Sequence, residues 1–479
     1  MTPPGACKTP GVYILEKDDF PTSAAAVDTA VPAFIGYTEK ADSQGKSLRN
    51  RPYRISSLAE YRECFGGAPL PRFEIRRKAA DSAGRTVFSH LGEDYCLHRV
   101  SVGHLLYYSM CLFFANGGGP CYVVSVGDYR EGVELQALEG GLAPLRQEGE
   151  PMLVAVPDAV LLNDQECAAL QRAVLAFCGG HAPKRFAILD VPAEHENGFD
   201  PERDAIRNFR DAIGTEHLGH GAAYYPWLHT SAVESKDFGL HNIENAELLL
   251  TRVEEELGIP REQLDERQMR AMSRVFRTVV EDIVERLNLL PPSGAMAGIY
   301  AQVDCTEGVW KAPANVPVSM ARIPAVMLSS QEQDGMSVSL DGKSINAIRF
   351  FDGVGTLVWG ARTLDGNSLD WRYVNVRRTA IMLEESIRLA CKAYVFEPNT
   401  ASTWVTVRSM VSNFLIGIWK AGGLAGAVPS DAFSVRVGLG ETMTPEDILE
   451  GTLRVSVLVA LRWPAEFIEI ALQQQMESS

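Results

Sequence analysis

Between residues 121 and 228 short apolar runs alternate with helical segments, and this alternation restricts the chain to a layered α/β fold. CYVVSV (121–126), MLVAVPD (152–158), RFAILDV (185–191) and AAYYPWL (222–228) read as strands. Residues 133–141, 164–178 and 201–215 read as the helices between them. The strands are nearly continuous apolar runs, the pattern of a sheet covered by helices on both faces.

The flanks are more varied. Residues 57–65 form a helix with Ser57 as N-cap, Glu60 three residues on and Gly66-Gly67 as the stop. Residues 72–90 suggest a hairpin, and 101–115 a buried helix that ends at Asn116-Gly117-Gly118-Gly119-Pro120. A helix over 260–290 carries Met269, Met272, Val275, Phe276, Val279 and Ile283, and Pro291-Pro292 stops it. Gly, Pro and Asn crowd 291–317, and the stretch KAPANVPV (311–318) lacks both periods and reads as ordered loop or poorly regular backbone. Strands are expected at 347–351, 356–361, 372–376, 393–398, 433–438 and 452–463, with helices at 378–392 and 402–421. Before residue 30 the chain reads as an extended arm. Pro3, Pro4 and Pro10 oppose helix, and the β-prone run Val12-Tyr13-Ile14-Leu15 needs a sheet to join, in its own subunit or another. Residues 464–475 read as a second extended or mixed arm. The division is an arm over 1–30, an α/β region over 31–345, a C-terminal α/β domain over 346–463 and an arm over 464–479.

The net charge of −16 repels DNA and anionic membranes and suits a basic partner or a need for solubility. No basic stretch interleaved with aromatics offers a nucleic-acid surface; Arg76-Arg77-Lys78 is the nearest. The nine cysteines are scattered and form no CxxC pair, which fits synthesis in a reducing cytosol. Prolines stand where a signal peptide needs its apolar stretch, and apolar segments fall far short of the roughly 20 residues that span a bilayer, so no direct membrane insertion is expected.

Motifs for chemistry fail on inspection. Gly342-Lys343-Ser344 and Gly45-Lys46-Ser47 lack the leading glycine of a phosphate loop. The triple glycine at 117–119 follows a helix and precedes a strand, the reverse of an anion-binding turn. His217, His220 and His229 lack the remaining ligands of a metal site, and no G-x-S-x-G elbow occurs. Asp158 and Asp190 stand at strand ends, where α/β enzymes place catalytic groups, but an Asp there also simply caps the following helix. The reading is of a protein that is not an enzyme and has no cofactor.

Several segments together resemble the tail sheath family of contractile phages, pyocins and phage-like injection machines. They include Pro10-Gly11-Val12-Tyr13-Ile14, Ala33-Phe34-Ile35-Gly36, Phe113-Phe114-Ala115-Asn116-Gly117-Gly118 and Gly308-Val309-Trp310-Lys311-Ala312-Pro313-Ala314-Asn315. Val358-Trp359-Gly360-Ala361-Arg362-Thr363-Leu364, Trp371-Arg372-Tyr373-Val374-Asn375-Val376-Arg377-Arg378, Phe396-Glu397-Pro398-Asn399 and Pro464-Ala465-Glu466-Phe467-Ile468 follow in order. Residues 72–90 depart from the pattern, and Arg349-Phe350-Phe351-Asp352 matches it loosely.

The resemblance implies an α/β sheath fold whose N- and C-terminal arms exchange strands between subunits, as hexameric rings stacked in a helix around an inner tube. On that basis Val12, Tyr13, Ile14 and Leu15 enter a neighbour's sheet, Val455 and Val457 belong to the receiving strands, and Phe467, Ile468 and Ile470 donate in the other direction. The implied partners are further copies of the chain, an inner tube protein, and baseplate and terminal cap proteins. Assembly in the bacterial cytoplasm follows, with the phage-like particle released by lysis or retained. A sheath-like ring or cap paralogue of the same machine is the alternative.

Overall fold

The computed structural model describes residues 24–79, 85–150, 152–180, 184–192, 194–195, 198–199, 204–337 and 341–466. Val12–Leu15, Phe467, Ile468 and Ile470 lie outside the described residues. Two compact units divide the chain, one of Asp28–Met382 with the stretch from Leu461, the other of Leu383–Ala460 with residues up to Val27. The expected boundary at 345/346 falls just before a strand of the larger unit's main sheet.

That sheet has nine strands: β1 (Pro32–Thr38), β2 (Tyr53–Ile55), β3 (Cys121–Asp128), β4 (Leu153–Ala155), β5 (Phe186–Asp190), β6 (Gly221–Tyr225), β7 (Val316–Pro317), β8 (Asn346–Phe351) and β9 (Gly355–Val358). Their spatial order is β7-β9-β8-β6-β5-β4-β1-β3-β2. Six neighbours, β3-β1-β4-β5-β6-β8, run parallel, and antiparallel strands close both edges. Phe34, Ile35, Val123, Val124, Leu153, Val154, Ala187 and Ile188 are all buried, so the central strands have apolar cover on both faces, as their sequence requires.

A second core lies in the same unit. Strands Phe73–Arg77, Glu93–Arg99 and Phe88–His90 form a three-stranded antiparallel sheet with Glu93–Arg99 in the middle. Phe73, Phe88 and Leu97 pack there on Leu249, Phe276, Val279 and Ile283. The hairpin expected at 72–90 does not form: Phe73–Arg77 and Phe88–His90 each pair with Glu93–Arg99, not with each other. The helix expected over 260–290 is broken into Glu266–Met272 and Arg274–Leu287. Ser273 is the break: its hydroxyl accepts from Phe276 N at 3.0 Å and donates to Glu256 at 2.5 Å, which re-caps the second helix.

Three further sequence expectations need correction, and one unassigned stretch is a helix. The helix expected over 101–115 is α1, Leu106–Ala115, and starts five residues late. Ser293–Thr306, within the Gly-, Pro- and Asn-crowded stretch to which the sequence assigns no element, is a helix (α2) buried on all sides from Ser293 to Ala301. Its glycines are not breakers but contact points. A Cβ on Gly294 would stand 2.5 Å from Ser109 O, and one on Gly298 2.4 Å from Phe113 O, so the two helices touch backbone to backbone. Gly298→Ala is therefore expected to force α1 and α2 apart and destabilise the subunit by about 2 kcal/mol, read as a lower urea midpoint.

Residues 372–376, expected as a strand, enter the helix α3, Val374–Cys391. The β-branched Val374 and Val376 suggested extension, but burial from Tyr373 to Leu383 overrides local preference. Residues 393–398 are a turn rather than a strand. Asn399 Oδ1 accepts from Trp404 Nε1 at 2.6 Å and Pro398 O from the Thr403 hydroxyl at 2.7 Å, so this stretch forms the entry to helix α4, Ala401–Lys420. Within it Phe396 is fully exposed at φ 75°, a left-handed conformation rare for an aromatic residue.

Candidate functional site

The smaller unit carries a sheet of only two strands, β10 (Phe433–Arg436) and β11 (Ser456–Val459). They are antiparallel, with Phe433 opposite Val459, Val435 opposite Val457 and Arg436 opposite Ser456. The strand expected over 452–463 is thus shorter. Its first part is held elsewhere: Thr452 N donates to Asp447 O at 2.7 Å, and Arg454 pairs with Asp447 at 2.9 Å. Val457 lies within β11, and Val455 just precedes it, half-buried.

Among the described residues neither outer edge of this sheet is paired. Leu458 is 60% exposed on it. A lone pair of strands is marginal in water, and an unpaired edge offers a row of N–H and C=O groups to another chain.

In the larger unit, two arginines hold the roots of the two termini. Arg378 and Asp304 form a bidentate pair at 2.9 and 2.5 Å, with side chains 4% and 3% exposed. Thr29 joins them, its hydroxyl donating to Asp304 Oδ2 at 2.6 Å and its carbonyl accepting from Arg378 at 3.1 Å. The guanidinium also lies over the Tyr300 ring, 4.7 Å from its centre. At the other end Arg362 grips Glu466 through contacts of 2.6 to 3.1 Å, and the Tyr373 hydroxyl donates to the same carboxylate at 3.2 Å. Thr29 stands five residues after the described chain begins, and Glu466 is the last described residue.

Sequence reading assigned these arginines no role of their own. The available signal was Arg377-Arg378 inside a segment otherwise apolar enough to be buried, because buried charges demand partners.

Asp158 and Asp190 serve as cross-links between strand ends and helix starts. Asp158 Oδ2 accepts from Tyr37 N at 2.8 Å and Oδ1 from Leu105 N at 2.6 Å, tying the end of β1 to the start of α1. The strands on either side of β1 connect in opposite directions, so this is the place where an open α/β sheet would hold a ligand. Here Asp158, Tyr37 and His104, all within 1% of complete burial, occupy it. Burial raises the Asp158 carboxyl above its ordinary range, against the pull of His104 and the backbone N–H donors.

Asp190 Oδ1 accepts from Ser293 N at 2.7 Å, at the start of α2. The void beside it measures about 10 Å³, room for one water at most. Burial pushes the Asp190 carboxyl up to about 7. The folded state therefore holds this proton more tightly than the unfolded chain does. The resulting stability is complete below the unfolded value near 4 and is lost as pH rises through about 7. Asp190→Asn keeps an acceptor for Ser293 and is expected to gain stability relative to the natural protein between pH 5 and pH 8, by urea unfolding at each pH.

The remaining candidates have local partners. Lys343 Nζ donates to Arg210 O at 2.5 Å and Ser344 Oγ to Ser337 O at 2.7 Å, so both side chains of that phosphate-loop-like turn are engaged. The His217 and His220 rings are 6.4 Å apart, but the Arg377 guanidinium meets His220 Nε2 where a metal would have to stand. Burial and this arginine lower His220 to about 4. Among the described residues no three His, Cys, Asp or Glu side chains gather as metal ligands, and no helix is long and apolar enough to cross a membrane.

The larger unit's parallel sheet thus has its switch point filled by Asp158, Tyr37 and His104, and the smaller unit's two-stranded sheet has both edges unpaired among the described residues. Residues 367–470 match the phage tail sheath C-terminal domain family. The tail sheath protein of Vibrio phage KVP40 is 26% identical over 169 residues, which are 35% of this chain and only 23% of that protein's length. The PVC sheath complex of an extracellular contractile injection system, in its contracted state, is 28% identical with a TM-score of 0.63 over 99% of both chains. A chain from the anti-feeding prophage baseplate in its contracted state is 28% identical with a TM-score of 0.67, over 99% of this chain and 100% of the other. Residues 367–470 thus match a tail sheath C-terminal domain, and the chain as a whole is similar to contractile sheath proteins.

Proposed function

We propose that the chain is the polymerising subunit of a contractile sheath, forming stacked hexameric rings around an inner tube and contracting to drive that tube through a target envelope. The observation that carries this reading is the sheet of β10 and β11, which has two strands and two open edges. Arms over residues 1–30 and 464–479 supply the missing strands. Val12–Leu15 of one copy adds to another copy's sheet beside Val455 and Val457, and Phe467, Ile468 and Ile470 donate in the opposite direction. Such pairing supplies directional main-chain hydrogen bonds while leaving each body free to repack against its neighbours.

No catalytic step is involved; the extended state stores the free energy, and release at a baseplate lets it fall to the contracted state. Likeness to chains from a sheath complex and a baseplate, both contracted, supports partners of those two kinds. An inner tube and a terminal cap complete the set, and the particle assembles in the cytoplasm and acts after lysis or from within the cell. The charge of −16 favours a more basic tube, held by contacts that salt screens.

Electron microscopy of the purified protein tests this reading. Long tubes or ring stacks are expected. Discrete single rings would instead favour a ring or cap paralogue near the baseplate, and a dispersed monomer at high concentration would refute polymerisation.

A further inference from the structure

Where β10 ends and β11 begins, the two-stranded sheet opens onto a cleft of about 530 Å³ lined by Arg436, Glu441, Thr442, Arg454, Val455 and Ser456. Two of its charges are answered inside the subunit: Glu441 by Arg408 at 2.6 Å, and Arg454 by Asp447 at 2.9 Å. Arg436 is exposed and has no ion pair among the described residues. Three arginines thus face two carboxylates, which leaves the cleft with an excess positive charge at one end of an open sheet edge.

The first arm has the complementary pattern. Val12-Tyr13-Ile14-Leu15 is followed directly by Glu16-Lys17-Asp18-Asp19, three carboxylates and one lysine, whereas Lys8 is the only charged residue in the five positions before Val12. The arm is therefore basic on its N-terminal side and acidic on its C-terminal side. A strand added antiparallel to β11 brings its C-terminal end to the start of β11, which is the cleft. The lengths also agree. β11 has four residues and so does the β-prone run, so with Val12 opposite Val459 and Leu15 opposite Ser456, the acidic residues begin level with Val455. The other arm fits less well: Glu469 interrupts its apolar run, and Ala471 to Gln475 carry no charge.

We propose that the acidic run Glu16–Asp19 of a second copy docks in the Arg436–Arg454 cleft and sets the direction and register of the exchanged strand. This rests on the arm-exchange reading and adds a specific electrostatic lock to it. The lock matters because a slip of one residue turns every side chain of the added strand to the wrong face, and four residues of pairing alone define register poorly.

The test compares the full chain with Arg436→Glu, the milder Arg436→Gln, and Arg436→Glu combined with Asp18→Arg and Asp19→Arg. Assembly is measured by sedimentation and electron microscopy at low and high salt, and folding by thermal melting. Arg436→Glu is expected to melt as the natural chain does and to lower the assembled fraction at low salt by roughly tenfold. Arg436→Gln should lower it less, and the charge exchange should restore it. Normal assembly of Arg436→Glu overturns the lock, as does failure of the exchange to rescue. Arm exchange itself fails separately, if a chain lacking residues 1–20 still assembles.

Discussion

Removing residues 1–20 is expected to leave a subunit that folds and melts like the full chain but forms no long tubes. The described cores are built from residues outside this stretch. The main sheet buries Phe34, Ile35, Val124 and Val154 within residues 28–382, and the smaller core packs on Phe276 and Ile283. The root also survives: Thr29 remains bound to Asp304 and Arg378. What disappears is Val12–Leu15, the segment assigned to the open edge of another copy's sheet. Since each added strand exchanges main-chain hydrogen bonds along its length, the deletion should act on assembly as near-complete loss rather than a graded weakening. Matched melting curves with electron microscopy of the same samples check it; tubes of normal length from the shortened chain would contradict it.

Breaking the Arg378–Asp304 pair is expected to damage the fold itself. Both side chains are almost fully buried, and Asp304 accepts from both guanidinium nitrogens and from Thr29. Asp304→Ala leaves an arginine in the interior with its charge uncompensated, and Arg378→Ala leaves a carboxylate in the same position. Either loss should destabilise the subunit by about 3–5 kcal/mol, because the surviving charge keeps its desolvation penalty. Replacing both, Asp304→Ala with Arg378→Met, should cost less than the two single changes added together, since no bare charge remains. Urea unfolding of the three variants measures this. Single variants within about 1 kcal/mol of the natural chain would place the pair among weak surface-like contacts.

The parallel core was legible because its strands are apolar runs of the right length with helical spacing between them, a signal carried by consecutive residues. Ser293–Thr306 was not, because Gly294 and Gly298 look like breakers until Ser109 and Phe113, far back in the chain, are seen against them. Val374 and Val376 misled in the same way, as burial around Tyr373–Leu383 decides their conformation. Asp190 was correctly noticed at a strand end and Asp158 lies in the short 3-10 helix just past one, but whether such a carboxylate faces substrate or a helix start depends on Leu105 and Ser293. The arginine anchors join residues 74 and 104 positions apart, and nothing in local pattern announces such a partner. A strand was expected over 452–463, yet Asp447 claims its first residues and leaves Ser456–Val459.

A reconstruction of the assembled particle that resolves the edges of Phe433–Arg436 and Ser456–Val459 reaches the decisive contact directly. A third strand on that sheet, traced to residues 12–15 of a different copy, is the expected result. Edges left bare, or covered by the same copy's own terminus, would mean that subunits are joined in some other way.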